Sequence, residues 1–252
     1  MSSESLRIVT AVGVLLMLLL LRLQSEQFGA AEYYEPGSRY HHGVWTRISW
    51  YLLGLALLAA LYFVHPQPHD VLFLVVGNNV DVFTFGLSLA VLGAVQAALF
   101  AWLRYRRLRL PAASAYPGAA LNSVATAIVD EATFRGALQG MLLATGLPGG
   151  SAILVQAVVY TLTTRLGAPG RHRYMLVLSL GIGIACGWAT VSTGGIGAAI
   201  LAHSLTSFAL FVFTGHAGQV TRRGLEPEEI EARRRPEGWL DARRRDETSN
   251  QG

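Results

Sequence analysis

Residues 127–140 read AIVDEATFRGALQG, which has the composition of a lipid-buried helix except for Asp130, Glu131 and Arg135. Counted from Pro117, a favourable first-turn residue, Asp130 lies about 20 Å along the helix at 1.5 Å per residue. A charged side chain at that depth in a bilayer costs about 3 kcal/mol or more. Such residues mark proton relays, substrate pathways or buried ion pairs, so this stretch indicates a functional site.

The spacing of these three residues gives two interpretations. Glu131 and Arg135 are four residues apart, so they share a helix face and can form an ion pair. That pair would leave Asp130 turned about 100° away and free for other work. The alternative is a structural clamp between helices, with Asp130 lining a wet crevice. Structural ion pairs also perturb pKa values, so these three residues alone do not decide between the two interpretations.

A second polar point lies in residues 198–211, AAILAHSLTSFALF, where Ser207 follows His203 by one turn on the same face. Counted inward from Ile196, His203 is roughly 10 Å below one surface of a core about 30 Å thick. Asp130, counted from the other surface, reaches about the same level. A lone helical histidine is usually a packing residue, but the matching depth predicts one shared site.

Two further helical stretches contribute weaker signals. Tyr160 and Thr164 are also four residues apart, but a threonine can bond to its own helix and a tyrosine can simply line a pocket. Gly183 and Gly187 form a Gly-x-x-x-Gly pattern that predicts close packing of two helices.

The overall composition is that of a membrane protein. The chain has 252 residues, of which 52% are hydrophobic and 14% charged, whereas soluble domains carry about 25% charge. All 20 basic residues are arginines, which suggests a GC-rich prokaryotic genome. They cluster beside apolar segments, a pattern of membrane topology that argues against nucleic acid as a partner. The single cysteine, Cys186, excludes an internal disulfide and is predicted to be a buried, inert thiol.

The apolar runs predict an all-α, polytopic membrane helical bundle. A spanning helix needs about 20 mostly apolar residues. Candidate spans lie at 7–23, 45–64, 82–103, 117–146, 151–166, 174–192 and 196–215. The run VLFLVV at 71–76 is too short to span and reads as a re-entrant or interfacial piece, so the count is seven to eight. The first segment is interpreted as a retained helix rather than a signal peptide.

The arginine distribution predicts the orientation. Arginines lie at 104–109, 165–173 and throughout the tail after 217, whereas the alternate loops at 65–70, 147–150 and 193–195 have none. The positive-inside rule therefore places the C-terminus in the cytoplasm, with the N-terminus outside if there are seven spans. The tail reads as a polar helix that anchors the chain on anionic lipid. The localisation predicted is a prokaryotic plasma membrane.

These residues resemble a known family. DEATFRG at 130–136 is similar to the EExxFRG motif of the CPBP family, the CAAX-protease and bacteriocin-processing (Abi) intramembrane peptidases. Members have a second motif, FxxxH, and a third, HxxxN, on later helices. GGIGAAILAHSLTS at 194–207 resembles the third block. The resemblance covers residues 117–215 and implies N-terminal helices at 1–110, a catalytic-type core at 111–216 and a basic tail at 217–252.

The chain departs from the family pattern at three functional positions. Asp130 stands where the family has glutamate, Thr164 where it has the second-motif histidine, and Ser207 where it has asparagine. Tyr160 replaces the second-motif phenylalanine, and His172 lies outside that motif's spacing. A carboxylate shifted by about 1 Å can cost something like a hundredfold in rate, and a lost oxyanion donor about 10²–10³.

The resemblance implies an endopeptidase that cuts a membrane-anchored or CAAX-like, hydrophobic peptide. In that interpretation Asp130 and Glu131 activate water and His203 positions it or stabilises the oxyanion. Arg135 holds Glu131, and Tyr160, Thr164 and Ser207 line the site. No cofactor is expected, or else a divalent metal such as zinc, held by Glu131 and His203.

Two other classes of function stay open. One is a catalytically inactive scaffold on the same fold, of a peptide-binding or immunity type, which the substitutions at 130, 164 and 207 favour. The other is a proton-coupled carrier using Asp130 and His203 as a relay. The lack of internal repeats counts against the carrier. The sequence does not indicate the oligomeric state.

Overall fold

The structure is a computed structural model that describes residues 2–30, 32–34, 43–168, 172–218 and 220–234. Its helices are α1 (Ser3–Leu23), α2 (Val44–Val64), α3 (Pro68–Val71), α4 (Asn79–Tyr105), α5 (Tyr116–Glu131), α6 (Gln139–Ala144), α7 (Gly149–Leu166), α8 (Tyr174–Thr193), α9 (Gly197–Thr214) and α10 (Pro227–Arg234). A 3-10 turn (Ala113–Ala115) precedes α5, and a π-helical segment (Ala132–Leu138) joins α5 to α6. Two short strands, β1 (Glu32–Tyr34) and β2 (His216–Gly218), pair antiparallel.

All seven predicted segments are helical, and α5, the π-helical segment and α6 together make up the fourth. The helices α1, α2, α4, α8 and α9 are long and apolar enough to cross a membrane. Their outer faces carry many exposed leucines, valines and isoleucines, as expected where lipid is the solvent. The chain is therefore an all-α integral membrane bundle, with one small two-stranded sheet added.

The helices alternate in direction, so the bundle has two distinct ends. At one end Arg7 of α1 donates from Nε to the carbonyl of Val64, the last residue of α2. At the other end the Arg109 N–H donates to the carbonyl of Phe213 near the end of α9. We call this second end the arginine-rich end, because many of the described arginines lie there, among them Arg104, Arg106, Arg107, Arg109, Arg173, Arg222 and Arg223.

The run at 71–76 does not form an eighth spanning helix. After the four-residue α3, the chain forms no regular structure until α4, and its hydrogen bonds from Phe73 to Val76 go to other elements. The Phe73 N–H donates to the Gly136 carbonyl of the π-helical segment at 3.1 Å. The carbonyls of Val75 and Val76 accept from the N–H groups of Ile196 and Gly197 before and at the start of α9, at 2.9 and 3.0 Å. This piece therefore packs against the bundle beside the site helices, with Leu72 buried and Val75 and Val76 exposed.

Small residues let the central helices approach closely. In α4, Gly86, Ala90, Gly93 and Ala97 form one buried stripe that packs on α9. A Cβ at Gly93 would lie 1.9 Å from the Thr206 Oγ1 of α9. Between α7 and α8, a Cβ at Gly187 would lie 2.5 Å from the Gln156 Nε2, which confirms the close packing predicted from the Gly-x-x-x-Gly pattern.

The C-terminal segment, residues 220–234, packs back onto the arginine-rich end. Val220 is fully buried against Phe100, Met175 and other residues of the helices, and its carbonyl accepts from the His172 N–H at 3.0 Å. Glu226 is 3% exposed and pairs with Arg104 at 2.7 Å and Arg109 at 3.2 Å. The arginines at 235 and 243–245 lie outside the described residues.

The position of His172 in this contact region predicts that the stability of the protein depends on pH. Burial, followed by the positive charges of Arg104, Arg173 and Arg222, lowers the pKa of His172 below its ordinary value of 6.5. The unfolded chain therefore takes up a proton first as the pH falls, which favours unfolding. We expect the thermal midpoint in detergent to be constant above about pH 7 and to fall below about pH 6.5.

The matched variants are His172→Asn and His69→Asn. Asparagine at 172 keeps an acceptor for the Tyr174 N–H, which the His172 Nδ1 now accepts at 3.2 Å, but it cannot titrate. The slope of the midpoint between pH 6.5 and 5 should be shallower in His172→Asn. In His69→Asn, an exposed position at the other end, it should be unchanged. An equal slope in all three proteins would contradict the assignment.

Candidate active site

The acidic pair lies where α5 changes its winding. Glu131 is the last residue of α5, and the π-helical segment that follows contains Phe134, Arg135 and Gly136. π-Helical turns are rare and occur often at functional sites. Here the turn keeps Arg135 within 3.0 Å of the Glu131 carboxylate, so the ion pair predicted from the spacing is present. Both side chains are fully buried.

Glu131 contacts two partners through one carboxylate oxygen. Its Oε1 lies 3.0 Å from the Arg135 Nη1 and 2.6 Å from the His203 Nδ1 of α9. The structure therefore brings α5 and α9 together at one depth, as the sequence predicts. An ionised carboxylate can only accept, so Nδ1 carries the proton and Nε2 is the ring nitrogen left for other contacts.

Asp130 is not free, contrary to the expectation from helix geometry. Its Oδ1 lies 3.0 Å from the Nε of Arg22, which belongs to the last turn of α1. The expectation was wrong because spacing along α5 identifies only neighbours within that helix. The side chain of Asp130, turned about 100° from Glu131, faces another helix, which is α1. Asp130 is 1% exposed and Arg22 is 5% exposed, so this too is a buried ion pair.

Asp130 and His203 line one internal cleft. Its cavity is about 40 Å³, which holds a few water molecules. Polar lining residues from five helices surround it: Arg22, Asn122, Ser123, Thr126, Asp130, Tyr160, Ser179, His203, Thr206 and Ser207. The lining extends to Met175 in the first turn of α8 and to Leu210 near the end of α9, so the cleft runs from Asp130 toward the arginine-rich end.

The structure separates the other expected site residues. Tyr160 and Ser207 are among the residues that line the cleft. The Tyr160 ring also packs on Phe134 and lies 4.4 Å from the guanidinium carbon of Arg135. Thr164 does not line the cleft; one turn further along α7, it lines a separate pocket together with His172. The expectation that Thr164 lines the site with Tyr160 is not met, because one turn places Thr164 about 6 Å further along the helix axis.

Comparison with known proteins places these residues in a family. Residues 112–209 match the family model of the type II CAAX prenyl endopeptidase Rce1-like proteins. This part of the chain is of the CPBP family. The match spans less than half of the chain; α1, α2 and α4 lie outside it. No curated protein and no solved structure matches the chain.

The donor set of this CPBP segment does not suit a divalent metal. Asp130 lies against Arg22, and Glu131 against Arg135 and the His203 ring. A dication between the two carboxylates would also face two guanidinium groups, which repel it. Within the described part of the chain, no three His, Cys, Asp or Glu residues are grouped to hold a metal ion.

Sequence reasoning missed Arg22. It interrupts the apolar run LLLLRL at the end of the first segment, where an arginine is normally taken as an anchor at the membrane surface. The one available signal was its position inside the hydrophobic segment rather than after it. Asn122, Ser123 and Thr126 were missed as well, although they recur along one face of the CPBP segment's first helix.

Proposed function

We propose that the protein is an intramembrane endopeptidase that hydrolyses a peptide bond of a membrane-anchored, CAAX-like substrate. The observation that carries the proposal is the Glu131–His203 contact of 2.6 Å beside a water-sized cleft that Asp130 also lines. The match to the Rce1-like family supports the same reaction class. The cleft runs toward the arginine-rich end, which the positive-inside rule places in the cytoplasm.

The mechanism assigns different work to the two acids. Glu131 is behind His203 and does not line the cleft, so its role is to orient the imidazole and stabilise its protonated form. His203 takes a proton at Nε2 from a water molecule as the water oxygen attacks the substrate carbonyl carbon. Asp130 accepts a hydrogen bond from that water and positions it. When the C–N bond breaks, His203 returns the proton to the leaving amine.

The two ion pairs lower the energetic cost of placing these charged side chains in a bilayer. Arg22 and Arg135 together balance the charges of Asp130 and Glu131, so the cluster carries no net charge with His203 neutral. Isolated charges at this depth would be far more costly than paired ones. No resident metal is part of the proposed mechanism, so cleavage should persist in the presence of a chelator.

Cleavage by purified protein in liposomes tests the proposal. The substrates are farnesylated and single-span peptides, and mass spectrometry identifies both fragments. We expect wild type to cut at least one substrate, with or without EDTA, and His203→Ala to lower kcat by about 10²–10⁴. The matched control is His69→Ala, an exposed histidine of α3 at the other end of the bundle, which should cut like wild type.

Two results would contradict the proposal. Equal cleavage by wild type and His203→Ala would show that the fragments come from another activity. Failure of wild type to cut any substrate, while a CPBP protein with complete motifs cuts in the same liposomes, would favour the inactive scaffold. One observation already favours that second candidate: a cavity of about 40 Å³ accommodates water but not a peptide, so cleavage requires the helices to part.

A further inference from the structure

Arg22 lies in α1, outside the segment that matches the family, yet it is part of the cleft. Its Nε lies 3.0 Å from the Asp130 Oδ1, and its Nη1 donates to the Ser25 Oγ at 2.9 Å. Ser25 is 1% exposed and Arg22 is 5% exposed, so this guanidinium is held inside the protein. It therefore differs from an arginine that reaches out to lipid headgroups.

Neighbouring helices hold the backbone that carries Arg22. The carbonyl of Leu21 accepts a hydrogen bond at 3.0 Å from the indole N–H of Trp50, a fully buried residue of α2. At the end of α7, a Cβ added to Gly167 would lie 3.0 Å from the Arg22 carbonyl oxygen, so the two backbones are in close contact. The last turn of α1 is thus fixed from both sides, which gives the guanidinium a defined position.

The cleft needs a donor for the oxyanion that forms when water adds to a carbonyl. Thr164, which occupies the second-motif position, lines another pocket. Among the described residues that line the cleft, Arg22 is the one permanent cation. A guanidinium has five N–H donors, and the contacts to Asp130 and Ser25 use Nε and Nη1 but not Nη2.

We propose that Arg22 stabilises the oxyanion and so supplies from α1 what the second motif no longer provides; this rests on the proposed endopeptidase function. As the water oxygen bonds to the carbonyl carbon, the C=O π electrons move to oxygen, and Nη2–H donates to the resulting O⁻. When the C–N bond breaks, those electrons re-form the carbonyl of the product acid, and the amine leaves with the proton from His203. Arg22 also holds the Asp130 carboxylate beside the same water.

Steady-state kinetics of Arg22→Gln, Arg22→Lys and Arg7→Gln test this role in liposomes. Arg7 is the matched control, because it is an exposed arginine of the same helix that bonds only carbonyls at the other end of the bundle. We expect Arg22→Gln to lower kcat by about 10²–10³ with KM little changed. Arg22→Lys should recover part of the loss, because it keeps the charge, and Arg7→Gln should resemble wild type.

Three kinetic results would overturn the assignment. A rise in KM at unchanged kcat would make Arg22 a substrate-binding residue. A faster Arg22→Gln enzyme would make it a restraint on Asp130. An equal loss in Arg22→Lys and Arg22→Gln, together with a lowered thermal midpoint in both, would make it a structural residue.

A binding measurement separates this inference from the proposed function. The probes are an N-palmitoyl dipeptide phosphonate, which carries an anionic tetrahedral centre, and its carboxamide twin. Wild type should bind the phosphonate at least tenfold more tightly, and Arg22→Gln should lose that preference while binding the carboxamide equally. If the protein shows this preference but cleaves no substrate, Arg22 binds the anionic centre as proposed and the endopeptidase function is contradicted. No phosphonate preference in wild type would overturn the role of Arg22, whether or not the protein cuts.

Discussion

Replacement of Glu131 by glutamine is expected to lower kcat of cleavage by about 10²–10⁴, although glutamine has nearly the same shape. The amide cannot stabilise the protonated imidazole of His203, whose Nδ1 now lies 2.6 Å from the carboxylate. The change also leaves Arg135, a fully buried cation, without its counter-ion. Removal of one partner of a buried ion pair costs about 3–5 kcal/mol, so the free energy of unfolding should fall as well.

The double variant Glu131→Gln/Arg135→Met separates these two effects. Methionine removes the unpaired charge and can still pack on the Tyr160 ring, which Arg135 now covers at 4.4 Å. We expect the double variant to recover most of the stability lost in Glu131→Gln, measured by thermal unfolding in detergent, and none of the kcat. Recovery of cleavage together with stability would show that Glu131 is structural only.

Replacement of Gly93 by alanine is expected to destabilise the bundle by about 1–3 kcal/mol or more. An added Cβ would lie 1.9 Å from the Thr206 Oγ1 and 2.8 Å from the Thr206 Cβ, so a rotation of that side chain cannot remove the clash. Helices α4 and α9 would have to separate, and α9 carries His203. Unfolding by SDS titration measures the stability change.

A control variant in α8 and a rescue variant at the clash itself accompany Gly93→Ala. Gly181→Ala in α8 adds the same methyl group where nothing lies within 4 Å, and it should stabilise by about 0.5–1 kcal/mol. The double variant Gly93→Ala/Thr206→Gly removes the clashing side chain and should recover part of the loss. If Gly93→Ala is as stable as Gly181→Ala, α4 and α9 do not pack as closely as described.

The seven long helical segments of this protein can be predicted from its sequence. Apolar runs of membrane-spanning length predicted all seven helical segments, because in lipid a backbone must satisfy its hydrogen bonds within the helix. The four-residue spacing of Glu131 and Arg135 predicted their ion pair, and counting 1.5 Å per residue brought α5 and α9 together at one depth. All of these follow from periodicity within one helix or from bilayer thickness.

The side-chain contacts between helices depend on how the helices pack and cannot be predicted from spacing along one helix. Arg22 and Asp130 are far apart in the chain, and the rotation of α1 about its axis depends on its packing against α2 and α7 rather than on its own residues. The same holds for the run at 71–76 beside the π-helical segment, and for Thr164, whose turn of α7 lines a different pocket. Spacing along one helix defines faces, but the close approach of small residues between helices selects which faces come together.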